Sequence, residues 1–599
     1  MRTTKLAVCA GLIAGAAFGA EDAPGWLKEL ANVPAQTYPS KVTAVMLLND
    51  ESNVIDETGK ITRTARQAVR YISRQADIQF VETYDTDGAK IRDFRAWVIS
   101  ASGKVKRYAK TEIVDVACAP NEVFDECRAR VVFGKADAEP GAIFGYEAVV
   151  EERTFTNQLR FHFQDMLPVE SARFSVTVPT GWEVKSREFN GAPKETASGP
   201  GVYTWQMSHV AAIEREPAAP SSLTLTPWVG VTVLGGKLAV TSWPEAAKQM
   251  ADINQTQFEP DDAITAKAKA LTANATTEMD KIRAIGNFTQ QVNYVSIQTD
   301  VARGGGYRPH SATQVFQKLY GDCKDKANLT RSMLKAVGIQ AYPVAIYSGD
   351  RSHVPENWPS FGVFNHAISA IVVGPEVNLP AVIVHPQLGR LLLFDSTDPY
   401  VQPGYLPEHE QDSLALIGAA NGGLIRVPQS PQLPASRVFK TEAELKPDGG
   451  IAGSFTEVLT GEAYSGGLAP LRALSKTDFQ KSIERWVGRS MTGASASAIE
   501  ADAKDGKFML KGQFSSSRFA QIPQSRMMIF RAGLLYHGEN IRLREKSRKY
   551  PVVLDGDAFQ ETVRILVPAG FKVDELPDPM KLSNEFGSFE AKWSAQLGS

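Results

Sequence analysis

The sequence predicts a multidomain α+β protein: a large N-terminal β-sandwich, a central core that mixes helices with strands, and a C-terminal β-rich accessory domain. Three observations carry that expectation. From about Val42 to Val233, short alternating runs are punctuated by hairpin signals such as Asp56-Glu57-Thr58-Gly59-Lys60, Asp85-Thr86-Asp87-Gly88 and Ser102-Gly103-Lys104, the pattern of packed antiparallel strands. After Ser242-Trp243-Pro244 the apolar spacing changes to that of amphipathic helices. Pro428-Gln429-Ser430-Pro431-Gln432-Leu433-Pro434 is a stiff, extended linker, and alternation returns beyond it.

A chain of 599 residues has room for three or four domains of about 150 residues. The expected boundaries are 1–20 for a signal peptide, 21–235 for the β-rich domain, 240–425 for the core, 426–436 for the linker and 437–599 for the last domain. Formal net charge is −2 and charged residues make up 22%. That balance points to neither nucleic acid nor an anionic surface as a partner.

The first residues set an address. Met1-Arg2-Thr3-Thr4-Lys5 is a short basic stretch, Leu6 to Ala16 is apolar but short for a bilayer, and Ala17-Phe18-Gly19 supplies small residues at a cleavage site. This reads as a secretory signal cleaved after Gly19 or Ala20, leaving an exported, soluble protein, periplasmic in a Gram-negative host. Nothing else in the sequence is apolar enough to span a membrane. Cleavage removes Cys9 and leaves Cys118, Cys127 and Cys323. In an oxidising compartment two of the three can pair. Cys118 and Cys127 flank a polar turn and are the natural disulfide, which leaves Cys323 as the free thiol.

In the core, Thr277-Glu278-Met279-Asp280 is a capping box opening a helix to Val292, with Ile282, Ile285, Phe288 and Val292 along one side. Tyr294 to Gln298 reads as a short strand. Ala302 to Pro309, containing Gly304, Gly305 and Gly306, is a flexible loop leading to Ser311, which caps a helix through Leu319. No Lys-Ser/Thr pair follows those glycines, so they are not a phosphate loop. Gly321 and Asp322 then turn the chain into a further helix, with Asp322 as N-cap, Ala327, Thr330, Leu334 and Val337 on one face, and Gly338 as the stop. Cys323 stands at its mouth, where unpaired N–H groups and the helix dipole favour a thiolate. Lys324-Asp325-Lys326 reads as the charged first turn of an exposed helix start. Downstream, Phe364-Asn365-His366 opens a β-rich run to Val373, and Arg390 to Phe394 is a strand that ends in Asp395.

Cysteine at a helix start, histidine on a strand and aspartate at the end of the next strand is the chain order of the transglutaminase-like cysteine enzymes. GDCKDKA around Cys323, FNHA around His366 and the strand-terminal Asp395 resemble the bacterial branch of that family. The β-rich first domain resembles the domain of unknown function that precedes such cores. The resemblance implies a transglutaminase/papain-like α+β core with Cys323 as nucleophile, His366 as general base and Asp395 orienting the imidazole. It implies acyl transfer through a thioester, with no cofactor or metal. The oxyanion of such a reaction needs donors, for which the Cys323 N–H, Gln298 and Tyr294 are candidates. His353 and His385 compete with His366 for the role of base but lie in Pro-rich loops, while His162 and His209 read as structural. Asp398, before Pro399, reads as a turn residue. Cys, His and Asp without a fourth ligand or a CxxC pair make a poor metal site.

Two classes of function follow. One is an exported peptidase, amidase or transglutaminase-like acyltransferase acting on peptide or protein amides, cell-wall peptides among those within reach. The other is a non-catalytic envelope binding or scaffold protein on the same fold, against which the three retained residues argue. Hydrolysis and transamidation are not separable from the residues.

Overall fold

The computed structural model describes residues 22–118, 124–153, 156–235, 240–298, 306–429, 436–461, 463–504, 506–523, 527–535, 546–554, 556 and 558–596. The signal segment, Gly304, Gly305 and most of the Pro-rich linker lie outside the described residues. The chain divides into two compact units, residues 1–372 with 385–389 and 413–426, and residues 373–384 with 390–412 and 427–599.

The first unit begins with the β-rich region. An eight-stranded sheet runs in the order Thr196–Gly199, Val202–Val210, Val169–Thr177, Ala44–Ile55, Lys60–Tyr71, Ile143–Arg153, Ala89–Ile99, Val105–Arg107. Two three-stranded sheets accompany it, Gln158–His162/Trp228–Leu234/Glu183–Phe189 and Gln79–Asp85/Cys127–Phe133/Ile113–Ala117. All three contribute to one apolar core, in which Phe80 from a small sheet meets Phe144 from the large one with ring centres 4.5 Å apart. Each such ring taken fully out of water contributes about 1.5–3 kcal/mol, so the alternating pattern is enough to hold sheet against sheet. The hairpin signals act as their chemistry requires: Asp56 Oδ1 accepts from the Thr58 N–H at 2.8 Å, and Gly59 takes φ +82°.

The core follows. Helices α1 (Trp243–Asn254), α2 (Asp262–Leu271) and α3 (Glu278–Gln290) lead to two short strands, β1 (Asn293–Tyr294) and β2 (Ile297–Gln298). Then come α4 (Ala312–Lys318), β3 (Tyr320–Gly321), α5 (Cys323–Ala336), β4 (Ala341–Ile346) and β5 (His366–Val372). β5, β4, Leu414–Ile417 and Gly423–Arg426 are successive antiparallel strands of one sheet. α2, α3 and α4 pack around α5, and β4 and β5 cover its remaining side.

That enclosure overturns two expectations. α5 is not a helix with one buried face, because Asp325 through Leu334 are all buried. Its charged first turn is not an exposed start, for Asp325 is 0% and Lys326 1% exposed. The expected Tyr294–Gln298 strand is instead two bridges with different partners. β1 pairs in parallel with β3, and β2 pairs in parallel with Phe124–Asp125 of the β-rich region.

The β-rich region and the core also meet through Trp228 and Trp358, edge to face at 5.4 Å, and through the Ser221 N–H, which donates to Asp350 Oδ2 at 2.8 Å. The Cys118–Cys127 disulfide is present, and Cys323 is the free cysteine among the described residues.

The second unit contains a five-stranded sheet in the order Ala494–Lys504, Lys507–Ser516, Ile451–Thr460, Arg437–Leu445, Phe559–Leu566. Helices Ala463–Ala473 and Lys476–Ser490 share its apolar core with Phe455, Phe508 and Phe514. The second helix begins at the Ser475 cap. Among the described residues no helix is long and apolar enough to cross a membrane.

Candidate active site

The site is built from the entry to α5. Asp322 is the N-cap: its Oδ1 accepts the Asp325 N–H at 3.2 Å, while Asp325 Oδ2 accepts the Asp322 N–H at 3.3 Å. This reciprocal box closes the first turn over a buried pair of carboxylates. Gly321 makes the approach possible, since a Cβ there would sit 2.6 Å from the Asp325 Cβ. Cys323 is the first residue of the helix and is half-buried. Its amide, like every N–H of a first turn, has no acceptor within the helix.

Charge around the thiol is arranged in layers. Lys324 makes an ion pair with Asp322, its side chain only 10% exposed. Burial opposes the Lys324 charge, but Asp322 and Asp325 outweigh it and hold the ammonium protonated to higher pH than usual. Asp325 accepts from the His310 N–H at 2.8 Å and lies 3.2 Å from His310 Nδ1. The hydrogen bond to Asp325 raises the His310 pKa. In return, burial pushes Asp325 up, but His310 and Lys324 prevail and hold it below the usual carboxylate range. Lys326 points the other way, its Nζ donating to the Gln290 carbonyl at 3.2 Å and the Val292 carbonyl at 2.7 Å. Asn328, one turn on, donates to the Gln257 carbonyl at 2.7 Å and to the His310 carbonyl at 3.0 Å.

Tyr294 and His366 complete what the first unit gathers. β1 is held on β3 by Asn293 N–H to Leu319 O and Val295 N–H to Gly321 O, both 3.0 Å, so that Tyr294 lies opposite Gly321. This pairing sets the backbone of Tyr294 beside the start of α5, two residues before Cys323 along β3 and the helix entry. The Tyr294 phenol pKa is pushed up by partial burial and by the neighbouring Cys323 and Asp322, and His366 pulls against that rise. His366 is the first residue of β5, in register with Ile346 of β4. Cys323 thus opens α5, Tyr294 pairs beside its entry, and His366 opens a strand packed against it. The Gln298 side chain lies outside the described residues; its backbone pairs with Asp125 in β2.

Asp395 belongs to the second unit, directly after the strand Gly389–Phe394. It is 3% exposed, and its oxygens accept from the Thr397 N–H at 2.7 Å and the Thr397 hydroxyl at 2.9 Å. Asp398 accepts the Tyr400 N–H at 2.7 Å, so both aspartates form local turns as the chain leaves the strand.

The other histidines have visible occupations. His385 Nδ1 accepts from the N–H groups of Gln387 and Leu388 at 3.3 and 3.2 Å, closing a turn at the end of the strand Val382–His385. His353 stacks on Tyr347 at 3.8 Å, and burial together with the Arg160 charge lowers it to about 4. His162 is brought to about 4 by burial, Arg160 and His353, with its Nδ1 3.0 Å from the Thr226 hydroxyl. His209 is exposed beside Glu170. Sequence reasoning passed over His310, and it assigned Asp325 and Lys326 to solvent. Their partners lie 15 to 36 residues away, and no local pattern announces such pairs.

Residues 265–374 match the transglutaminase-like superfamily. Residues 57–214 match a domain of unknown function with a solved structure (DUF3857), and residues 526–598 match another (DUF3858). The chain therefore carries a transglutaminase-like core preceded by the first of these domains and followed by the second. No curated protein matches it. Among solved structures it is similar to a "putative protease" from Parabacteroides distasonis, at 14% identity and TM-score 0.52 over 79% of this chain and 93% of that one. It is also similar to a "putative cysteine protease" from Cytophaga hutchinsonii, at 13% identity and TM-score 0.18 over 62% and 88%. At 14% identity the first likeness is one of fold.

Proposed function

We propose that this protein is an exported thiol hydrolase that cleaves peptide or other amide bonds in the cell envelope through a Cys323 thioester. The observation that carries the reading is the place of Cys323 as the first residue of the reciprocally capped α5, with β5, which His366 opens, packed against that helix and Tyr294 paired opposite Gly321. A thiol so placed has a base, a positive helix end and a second hydrogen-bond donor within one site.

The chemistry runs in two halves. His366 takes the thiol proton as Cys323 Sγ bonds to the carbonyl carbon, and the carbonyl π electrons move onto oxygen. The oxyanion rests on the Cys323 N–H and the Tyr294 hydroxyl. Collapse re-forms the carbonyl and breaks the C–N bond, and the departing amine leaves with the proton from His366. Water then attacks the thioester with His366 again as base, releasing the acid and restoring the thiol. Asp395 is given the task of orienting the imidazole, on the order Cys, His, Asp along the chain. Export follows from the basic and apolar stretches before Ala20, and it limits the available amides to those of the envelope.

Turnover of a library of fluorogenic peptide amides tests the reading. Cys323→Ser and His366→Gln should each remove cleavage while melting as the parent does, and iodoacetamide should label the parent at Cys323 alone. Undiminished cleavage by a folded Cys323→Ser protein would refute it.

A further inference from the structure

We infer that Lys326 is a positioning residue for the reaction: it holds β1 in place, and with it Tyr294 beside the start of α5. This deepens the proposed function and rests on that reading. Cys323 and Lys326 stand three residues apart on α5 and so are neighbours along one helix face. The backbone of Tyr294 lies opposite Gly321, two residues before Cys323, while Lys326 runs inward. Its 1% exposed side chain places Nζ 3.2 Å from the Gln290 carbonyl and 2.7 Å from the Val292 carbonyl.

The Gln290 carbonyl belongs to the last residue of α3, and the Val292 carbonyl lies just past its C-cap, Gln291. The last carbonyls of a helix lack donors within the helix and carry its negative pole, so a buried ammonium is the complement they require. The chain passes directly from Val292 into Asn293–Tyr294. β1 is only two residues long and is joined to β3 by the bonds of Asn293 and Val295. An isolated pair of short strands is marginal in water. Lys326 supplies the remaining constraint one residue before the strand starts. A single helix therefore carries both the nucleophile and the group that fixes β1, and with it Tyr294, relative to the helix start.

The test is a double-mutant cycle on Lys326→Met and Tyr294→Phe, read by kcat on a peptide amide that the parent cleaves and by hydrogen exchange at the Val295 amide. Tyr294→Phe should lower kcat about 100-fold, the effect of losing one oxyanion donor. Lys326→Met should lower it comparably with KM little changed, and the double variant should be no slower than Tyr294→Phe alone. Val295 exchange should accelerate in Lys326→Met and not in Tyr294→Phe. If Lys326→Met does not fold, Lys326→Arg, which keeps the charge, is read in the same cycle. Its loss should appear when Tyr294 is intact and vanish in the Tyr294→Phe background. Losses that multiply, or a folded Lys326 variant with parental kcat and parental Val295 exchange, overturn the proposal. Activity that survives Cys323→Ser would overturn the proposed function instead, and the exchange measurement would still decide whether Lys326 holds the strand.

Discussion

Helices Cys323–Ala336 and Lys476–Ser490 are of similar length, and each opens on a capping residue whose side chain accepts an N–H three residues on. Each also carries an aspartate at that third position, Asp325 in one and Asp478 in the other. There the likeness ends. The first buries ten of its 14 residues, among them Asp325, Lys326, Asn328, Thr330, Arg331 and Ser332, whereas the second buries only Phe479 and Val487 of its 15. Most polar residues of the first have particular partners, among them His310, the Gln290 and Val292 carbonyls and the Thr289 hydroxyl. None of the polar residues of the second is buried. Equal helix starts thus acquire different tasks from what surrounds them: one anchors a site, the other only begins a helix.

The sharpest form of that contrast lies between two other aspartates. Asp395 is buried while Asp398 closes a turn. Asp395→Asn should leave melting near normal and lower turnover by about 10⁴-fold, as when the orienting carboxylate of a triad is lost. Asp398→Asn should mainly alter stability, within about 1–2 kcal/mol. A fully active Asp395→Asn beside a folded but inactive Asp398→Asn would reverse the assignment.

The helix comparison itself predicts the next effect. Asp325→Ala removes the partner of His310 and the acceptor of the Asp322 N–H inside the core, and should cost about 3–5 kcal/mol of unfolding free energy. Asp478→Ala, at the same position of an exposed helix, should cost about 1 kcal/mol or less. Denaturant titration of both variants measures the gap, and equal losses would remove the distinction. The Cys118–Cys127 disulfide comes next. Closing a loop with a sequence separation of nine, it should contribute about 2–3 kcal/mol by constraining the unfolded chain. Melting of the Cys118→Ser/Cys127→Ser variant reads that contribution.

The smallest predicted effects separate the histidines. His310, raised by its bond to Asp325, contributes stability that is complete below the unfolded value near 6.5 and is lost as pH rises through its folded pKa. His162 and His353, lowered to about 4 chiefly by burial, behave in the opposite sense. Between about 6.5 and 4 the unfolded chain binds their protons and the folded chain does not, so stability is complete above 6.5 and falls as the pH drops toward 4. His310→Gln should flatten the alkaline side of the melting profile and His162→Asn the acid side. Exchanged effects would mean that the environments have been misread.

Much of this was legible because capping is local. Thr277, Ser311, Asp322 and Ser475 announce their helices within four residues, and each begins where its cap stands. The nearness of Cys118 to Cys127 made their pairing legible too. The helix Ala463–Ala473 was hidden by its own composition. Gly466, Gly467 and Pro470 read as breakers, yet Gly467 is required there because a Cβ would lie 2.4 Å from the Phe508 ring. The burial of Asp325 and Lys326 was illegible for a different reason. A charged residue shows its partner only once distant segments have been brought together, and α2, α3, α4 and two strands all converge on this helix. For the candidate site, the residue types and their order were readable. The placing of Tyr294 depends on the parallel pairing of two-residue strands across a segment that contains β2 and α4, which no spacing rule specifies.

The central claim is a covalent acyl-enzyme on Cys323, and acid quenching during the first turnovers with an activated peptide ester tests it most directly. Intact mass should rise by one acyl group, the modified peptide should be the one that contains Cys323, and the Cys323→Ala variant should gain nothing. An acyl group on another residue, or steady cleavage by Cys323→Ala with no adduct in the parent, would contradict the account.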